Sequence, residues 1–477
     1  MSILDHFPKH LTPRPEQREI LLELEAKWAA HDIFSLVMPP GSGKTEVAVT
    51  IAAWRAANRE TTNYLPPTNV LVEQAIDRYP KLFPMRRMDA YRCEDRQQSC
   101  ADVKDDCGHL CKGCVFLAGK RKAKAAPVRI MNYYVYFAQC LYADNAVFDE
   151  AHQLLEMLQD KQDIKLWQSL YKFPMGLKTV SDVILWAQDY LKTRNDTKLS
   201  EALRQIMLVR AGALTVYRET KRRGRSDIVL HVIPASIRSV PPWLWPANKV
   251  RKIVLMSATI SPHDVTELGL ADRRVAYLEC GSPIPADRRP VVYQPCYNLS
   301  RSTAERAMPE LVGMIKGLLA KHPEKGLIHV PYGLAEQLQP LLSDPRLLFH
   351  GKDDKAWALD QFRSATVESG RVLIASGLYE GVDLPYDAAR WQLIGKIPYL
   401  SLGDERIKRK ADENPDWYQW EAIKRVVQAA GRIVRAPDDY GVTYIFDRQF
   451  GRLLERDAHR HLSLFPQFFR DALIRLR

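Results

Sequence analysis

The segment FSLVMPPGSGKT at residues 34–45 carries the residue types that phosphate binding needs. A short apolar run enters a Pro/Gly turn, and a stretch of helical composition follows, which is the strand–loop–helix order of a P-loop. Met38 stands where the common pattern has its first glycine. Thr45 is expected to ligate Mg²⁺ through its hydroxyl. The residues expected to contact the phosphates themselves are Gly41, Ser42, Gly43 and Lys44.

A second segment, the acidic NAVFDEAH at residues 145–152, carries residue types that nucleotide hydrolysis needs in addition to a phosphate-binding loop. It has the pattern of a buried strand that ends in adjacent carboxylates. Asp149 is expected to hold Mg²⁺, and Glu150 to orient and deprotonate an attacking water. Together with the P-loop, this segment predicts a nucleotide hydrolysis site.

Two later segments carry charged residues that could act on the same nucleotide. VVQAAGRIVRAP at 426–437 places one glutamine and two arginines near one face of a predicted helix, and the guanidinium of arginine suits the charge that develops on a leaving phosphoryl group. These residues are Gln428, Arg432 and Arg435. RVLIASGLYEGVDLP at 371–385 is a strand followed by a Gly-rich acidic loop that contains Gly381 and Asp383.

Five of the eight cysteines lie within residues 91–114, at positions 93, 100, 107, 111 and 114. Four converging thiolates suit either tetrahedral Zn²⁺ or a 4Fe–4S cluster, and the C-x2-C pair of Cys111 and Cys114 fits both. The residues alone leave both metals open, with zinc the commoner solution. Such a crosslink could fold a segment that is too polar to build a core of its own.

Composition limits the remaining possibilities. The chain has 477 residues, which is too many for one core, and its formal charge of +12 favours a polyanionic partner such as nucleic acid. No apolar run is long enough for a signal peptide or a membrane span. We therefore expect a cytoplasmic protein with no membrane partner. The shortness of the chain separately favours a bacterial or phage-infected cell as its setting.

In their order along the chain, these motifs resemble those of a superfamily 2 helicase. P-loop, DEAH, SAT (257–259), G-x-x-x-G-x-D and Q-x-x-G-R-x-x-R together involve nearly the whole chain. The cysteines lie between PTNVLVEQ (67–74), which is similar to motif Ia, and DEAH, and this position resembles the XPD/DinG iron–sulfur type. RPEQREIL (14–21) is similar to the family's Q motif, in which Gln17 is expected to read adenine.

The resemblance implies an α/β fold of two RecA-like parallel-sheet domains, with a cysteine-rich lobe and a helical arch-like insertion in the first. ATP and Mg²⁺ would bind in the cleft between the domains, with Arg432 and Arg435 as finger residues and with Gly381 and Asp383 at the nucleotide. Position within this frame favours a 4Fe–4S cluster, with Zn²⁺ as the alternative. Its expected ligands are Cys93, Cys107, Cys111 and Cys114.

The expected boundaries follow the motifs. The first RecA-like domain is assigned in three parts, 1–85, 129–152 and 249–285, and the second domain to 286–477. The cysteine-rich lobe would occupy 86–128 and the helical insertion 153–248.

The function implied by the resemblance is ATP-dependent translocation on single-stranded DNA, 5′ to 3′, with separation of forked duplexes by a monomer. Three alternatives stay open: a DNA-stimulated translocase or remodelling ATPase that does not separate strands, an RNA-directed DEAH enzyme, and a nucleic-acid-binding scaffold with little ATPase activity. The cysteine-rich segment disfavours the RNA enzyme. Lys44, Asp149 and Glu150 argue against a scaffold.

Overall fold

The computed structural model of the protein describes residues 1–103, 113–209, 213–222, 225–234, 247–300, 302–379, 382–460 and 463–476. The chain divides into two compact units, one of residues 1–36 and 43–278, the other of residues 37–42 and 279–477. Among the helices in these ranges, none is long and apolar enough to cross a lipid bilayer.

The first unit is built on a parallel sheet whose strands follow the order β10-β1-β9-β5-β2-β4-β3. All five residues of the central strand β5 are buried, as expected for a parallel strand that is covered on both faces. The strands of this unit are β1 (Ile33–Val37), β2 (Thr62–Leu65), β3 (Phe83–Pro84), β4 (Val128–Ile130), β5 (Asn145–Asp149), β6 (Ile164–Trp167), β7 (Ala213–Arg222), β8 (Arg225–Pro234), β9 (Lys252–Ser257) and β10 (Val275–Glu279).

Helices follow most strands of this sheet, so the loops at the carboxyl ends of the strands carry the motifs. The helices of the unit are α1 (Pro15–Lys27), α2 (Lys44–Ala57), α3 (Asn69–Arg78), α4 (Val115–Ala125), α5 (Tyr133–Gln139), α6 (His152–Lys161), α7 (Gln168–Tyr171), α8 (Val180–Thr193), α9 (Thr197–Val209) and α10 (Pro262–Glu267). The P-loop precedes α2, and DEAH joins β5 to α6.

The insertion after DEAH has its own core and is only partly helical. Helices α8 and α9 are present as predicted, but residues 213–222 and 225–234, predicted to belong to a mainly helical arch, form the antiparallel strands β7 and β8. These strands join β6 in a three-stranded sheet of order β6-β8-β7. The helical prediction is therefore wrong for this part of 153–248.

Side-chain alternation explains the difference. Register pairs Tyr217 with Leu230 and Thr215 with Val232, so these residues share one face of the hairpin. Leu230 and Val232 belong to a core that also contains Val183 and Ile206 of the helices, with Tyr217 packed against it. Burial of one face of a β-branched and aromatic strand outweighs helix-like spacing of its apolar residues.

The second unit contains a parallel sheet of order β13-β14-β12-β15-β16-β11-β17. Its strands are β11 (Val291–Tyr297), β12 (Gly326–His329), β13 (Leu347–Leu348), β14 (Val372–Ile374), β15 (Trp391–Ile394), β16 (Val442–Asp447) and β17 (Leu473–Arg475). Its helices are α11 (Ala304–Lys321), α12 (Tyr332–Leu338), α13 (Lys355–Ser364), α14 (Glu405–Glu413), α15 (Pro415–Ala430), α16 (Gln449–Ala458) and α17 (Gln467–Ala472). Two parallel sheets flanked by helices confirm the predicted α/β class.

Candidate active site

The P-loop enters α2 through Gly43, whose φ of +76° lies in the left-handed region that favours glycine. A Cβ at this position would collide with the side-chain amide of Gln17 and approach the Glu46 carboxylate. Gln17 is buried, and its Nε2 donates to the Gly43 carbonyl at 3.3 Å while its Oε1 accepts from the Arg14 amide at 3.0 Å. The structure thus brings Gln17 to the end of the P-loop. Its reading of adenine stays a prediction.

Lys44, the first residue of α2, forms an ion pair with Glu150. Its Nζ lies 3.1 Å from Glu150 Oε1, and both side chains are mostly shielded from solvent. Glu150 has a φ of +50°, a left-handed conformation that is uncommon and energetically costly for a non-glycine residue. Since β5 and α2 lie far apart in sequence, the sheet is what brings this lysine and this carboxylate together.

DEAH is also tied to the SAT segment. The Nδ1 of His152 lies 2.7 Å from the Ser257 hydroxyl and 3.4 Å from Glu150 Oε2. Ser257 ends β9, which pairs with β5 in parallel register. Motifs that are about 100 residues apart in sequence therefore meet at the carboxyl ends of two neighbouring strands.

Asp149 is buried at the end of β5, and three groups hold it. Its Oδ2 accepts from the Tyr64 hydroxyl at 3.0 Å, and its Oδ1 accepts from the Glu150 amide at 3.0 Å. Its backbone carbonyl accepts from the Tyr133 hydroxyl. Burial and the neighbouring Glu150 charge raise the pKa of Asp149 to about 6, against the opposing effects of Lys44 and Tyr64.

A cavity of about 720 Å³ opens beside these groups. Thr45 and Asp149 line it together with Tyr64 and residues of α3, among them Leu71 and Arg78. A hydroxyl and a carboxylate are the oxygen donors that Mg²⁺ prefers, so these side chains fit the predicted metal. Lys44 and Glu150 supply a cation for phosphate and a candidate base at the same edge of the sheet.

In the second unit, the two predicted arginines lie beside one acidic side chain. Arg435 forms an ion pair with Asp383, and Arg432 Nη1 lies 3.5 Å from the same carboxylate. Arg432 Nε also donates to the carbonyls of Tyr379 and Gln428, each at 3.0 Å. Gln428 is buried on α15. The remaining predicted residue of this loop, Gly381, lies outside the described residues.

A buried histidine supports the loop that receives Arg432. The rings of His329 and Tyr379 are stacked with centroids 5.6 Å apart, and His329 Nε2 lies 3.1 Å from Gln392 Oε1. Burial lowers the pKa of His329 to about 4, with the Arg432 charge acting in the same direction. His329 is therefore neutral at neutral pH.

The cysteine-rich segment is described in part. Cys93, Cys100 and Cys114 are buried, whereas Cys107 and Cys111 lie outside the described residues. Backbone pairing of Tyr91 with Cys100 and of Cys93 with Gln98 puts Cys93 and Cys100 on the same face of a short hairpin. Within the described ranges, no three His, Cys, Asp or Glu side chains form a metal-binding group.

Sequence reasoning missed Tyr64, Tyr133, His329 and Tyr379. Tyr64 and Tyr133 stand in segments that flank the recognised motifs, YLPPT and IMNYYVYF, but an apolar strand or helix residue is their ordinary interpretation. Their polar partner, Asp149, becomes apparent only when the order of strands is known. His329 is the last residue of the buried strand β12, and a polar residue at the end of an apolar strand is the sign of it that the sequence carries.

Comparisons with known proteins agree with this arrangement. The family described as "Helicase C-terminal domain" matches residues 320–463, and that described as "Type III restriction enzyme, res subunit" matches residues 10–175. The chain is 23% identical over 433 residues to the ATP-dependent DNA helicase YoaA of Escherichia coli, covering 71% of this chain and 67% of YoaA. A regulator of telomere elongation helicase 1 homolog of Caenorhabditis elegans is 30% identical over 112 residues, which cover 20% of this chain and 11% of that protein.

Solved structures resemble the whole fold. A structure of S. tokodaii Xpd4 aligns with a TM-score of 0.59 at 13% identity, covering 97% of this chain and all of that one. An XPD helicase structure aligns with a TM-score of 0.61 at 16% identity, covering 98% of this chain and all of that one. At these identities the likeness concerns the fold alone.

One parallel sheet carries P-loop, DEAH and SAT motifs at the ends of its strands, and the unit with the other sheet carries the arginine motif at the end of α15. This combination defines the helicase class of P-loop proteins. The family matches and the similarity to YoaA support a superfamily 2 helicase of the XPD/DinG type.

Proposed function

We propose that this protein is an ATP-dependent DNA helicase that moves along single-stranded DNA, 5′ to 3′, and separates forked duplexes. The observation that carries the proposal is the ion pair between Lys44 and Glu150 beside the buried Asp149. This arrangement holds a phosphate-binding cation, a base and a metal-binding carboxylate at one edge of the sheet, which is what hydrolysis of a nucleoside triphosphate requires. The polarity follows from the family resemblance.

In the chemical step, Thr45 and Asp149 would hold Mg²⁺, which neutralises the phosphate charge when it is bound. Glu150, which pairs with Lys44 in this structure, would take the proton of the attacking water once the γ-phosphate has replaced it beside the lysine. Arg432 and Arg435 would stabilise the charge that develops on the γ-phosphate. Asp383 contacts both guanidinium groups and would orient them for this role.

We propose that the DNA strand lies over the first unit, at the edge formed by α3 and α5. Thr68 caps the N-terminus of α3, and Asn132 caps that of α5, with Asn132 Nδ2 donating to Asn69 Oδ1 at 2.6 Å. Val70 and Tyr134 beside these caps are well exposed. Helix N-termini favour phosphate groups and exposed apolar side chains favour bases, which supports a strand lying over this edge.

For the cysteine-rich segment we propose a 4Fe–4S cluster held by Cys93, Cys107, Cys111 and Cys114. Burial of Cys93 and Cys114 in an otherwise polar segment supports thiolate ligation. Cys100 shares a face with Cys93 and is the alternative ligand. The basic helix α4 follows directly, so the cluster would fix Lys120, Arg121 and Lys122 where they can contact DNA.

The test is the rate of ATP hydrolysis with and without single-stranded DNA. We expect a clear stimulation by DNA and a weaker one by RNA of the same length. Glu150→Gln serves as the inactive reference for contaminating ATPases. An ATPase that DNA does not stimulate would favour the scaffold, and one that RNA stimulates more strongly would favour an RNA enzyme.

A further inference from the structure

Tyr64 occupies the strand next to the acidic motif. It lies on β2, and register pairs it with Val147 of β5, two residues before Asp149. Its side chain is 1% exposed. The hydroxyl donates to Asp149 Oδ2 at 3.0 Å and also interacts with the side chain of Thr45. One phenol thus joins the two side chains that are assigned to the metal.

Tyr133 holds the same aspartate from the other side. It is the first residue of α5, directly after the cap Asn132, and it is 1% exposed. Its hydroxyl donates to the backbone carbonyl of Asp149, while its ring lies 5.7 Å from that of Phe148. The backbone and the carboxylate of Asp149 are therefore fixed by different tyrosines.

We infer that Tyr64 and Tyr133 are positioning residues of the metal site, which hold Asp149 and Thr45 ready for the cation. This inference rests on the proposed roles of Thr45 and Asp149. Each carboxylate oxygen of Asp149 uses one lone pair, for Tyr64 and for the Glu150 amide, and keeps capacity for a further bond. These bonds set the orientation of the Asp149 carboxylate and leave both of its oxygens able to bind the cation.

A neutral donor suits this place better than a charged one. A lysine or arginine at residue 64 would neutralise Asp149 and compete with the cation for it. The phenol of Tyr64 supplies one neutral O–H donor, and it gives this donor to Asp149. Removal of a group that is hydrogen-bonded to a metal ligand typically lowers metal affinity or activity by about 10- to 100-fold.

The experiment measures metal binding directly. Mn²⁺, which is visible by electron paramagnetic resonance, is titrated into the protein with a saturating non-hydrolysable ATP analogue. For Tyr64→Phe we expect Mn²⁺ affinity to fall about 10-fold or more, while the analogue still binds without metal as it does to the parent. Tyr136→Phe is the matched control, because Tyr136 is equally buried on α5 and its ring lies 5.8 Å from Phe148.

Parental Mn²⁺ affinity in Tyr64→Phe would overturn the inference. So would an equal loss in Tyr136→Phe, since the effect would then be one of packing. Tyr133→Phe is a second, independent variant that we expect to weaken Mn²⁺ binding in the same direction. Because the readout involves neither DNA nor turnover, a failure of the helicase proposal leaves this result interpretable.

Discussion

Replacement of Lys44 by alanine is the perturbation whose effect can be worked out most fully from the structure. The Nζ of Lys44 lies 3.1 Å from Glu150 Oε1, and only 14% of the lysine side chain is exposed. At the effective dielectric constant of about 20 that suits such sites, two unit charges about 4 Å apart attract by about 4 kcal/mol. In the transition state the γ-phosphate would take the place of Glu150 as the partner of this cation.

Loss of about 4 kcal/mol of transition-state stabilisation corresponds to a roughly 1,000-fold lower rate, since about 1.4 kcal/mol is tenfold. We therefore expect Lys44→Ala to hydrolyse ATP at about one thousandth of the parental rate in the presence of single-stranded DNA. A coupled ATPase assay measures this directly, and circular dichroism verifies that the variant is folded.

Lys27 provides the matched control for this substitution. It lies in the same unit and pairs with Glu23 at 2.6 Å, but both side chains are about 40% exposed. Exposed pairs of this kind contribute at most about 1 kcal/mol, so Lys27→Ala is expected to keep the parental rate. A folded Lys44→Ala that turns over within tenfold of the parent would refute the P-loop assignment.

The remaining predictions concern four other residues. Glu150→Gln is expected to bind ATP like the parent but to turn over at least about 100-fold more slowly, because it lacks the base; rapid-quench kinetics measure this. Arg435→Lys is expected to slow single-turnover hydrolysis about 1,000-fold, because the ammonium of lysine cannot replace the guanidinium fork of an arginine finger. Burial lowers the pKa of His329 from 6.5 to about 4. Between these pH values the unfolded chain binds a proton at this residue and the native chain does not, so the free energy of unfolding of the parent should fall by about 3 kcal/mol as the pH drops from 6.5 to 4. Urea unfolding of His329→Gln should show a correspondingly smaller loss. Cys93→Ser is expected to lower the iron content of protein purified without oxygen.

Each of these predictions has an outcome that contradicts it. If Glu150→Gln turned over at the parental rate, Glu150 would not be the general base. If Arg435→Lys kept the parental single-turnover rate, Arg435 would not act as an arginine finger. Identical pH dependence of unfolding in His329→Gln and the parent would mean that the histidine is accessible to protons. Purified parent protein with zinc and no iron would establish the alternative metal.

The positions of the candidate site residues on strands and helices could be predicted because their signals are local. Lys44 and Thr45 follow from a strand, a glycine-rich turn and a helix within one short segment. Asp149 and Glu150 follow from an apolar strand with an acidic end. Each signal depends on neighbours in sequence, so no knowledge of the tertiary fold is needed to read it.

The contacts that hold these residues could not be predicted in the same way. Tyr64 meets Asp149 only because β2 lies beside β5 in the sheet, although many residues separate the two strands. The phenol of an apolar strand gives no sign of its partner in the sequence. His329 and Tyr379 are likewise brought together by the fold of the second unit.

The hairpin of the insertion shows a different limit. Residues 213–222 contain apolar residues at spacings that suit a helix as well as a strand. Pairing with β8 and burial of Leu230 and Val232 decide for the strand, and these are long-range effects. Local propensity alone does not decide whether such a segment forms a helix or a strand.

The central claim is that ATP hydrolysis drives strand separation, and duplexes with a single-stranded tail on one end test it most directly. With ATP and Mg²⁺, we expect the parent to release the labelled strand from a 5′-tailed duplex, and to leave a 3′-tailed duplex of the same sequence intact. Lys44→Ala should release neither. Hydrolysis of ATP on both substrates without release of either strand would contradict the account and leave a translocase that does not unwind DNA.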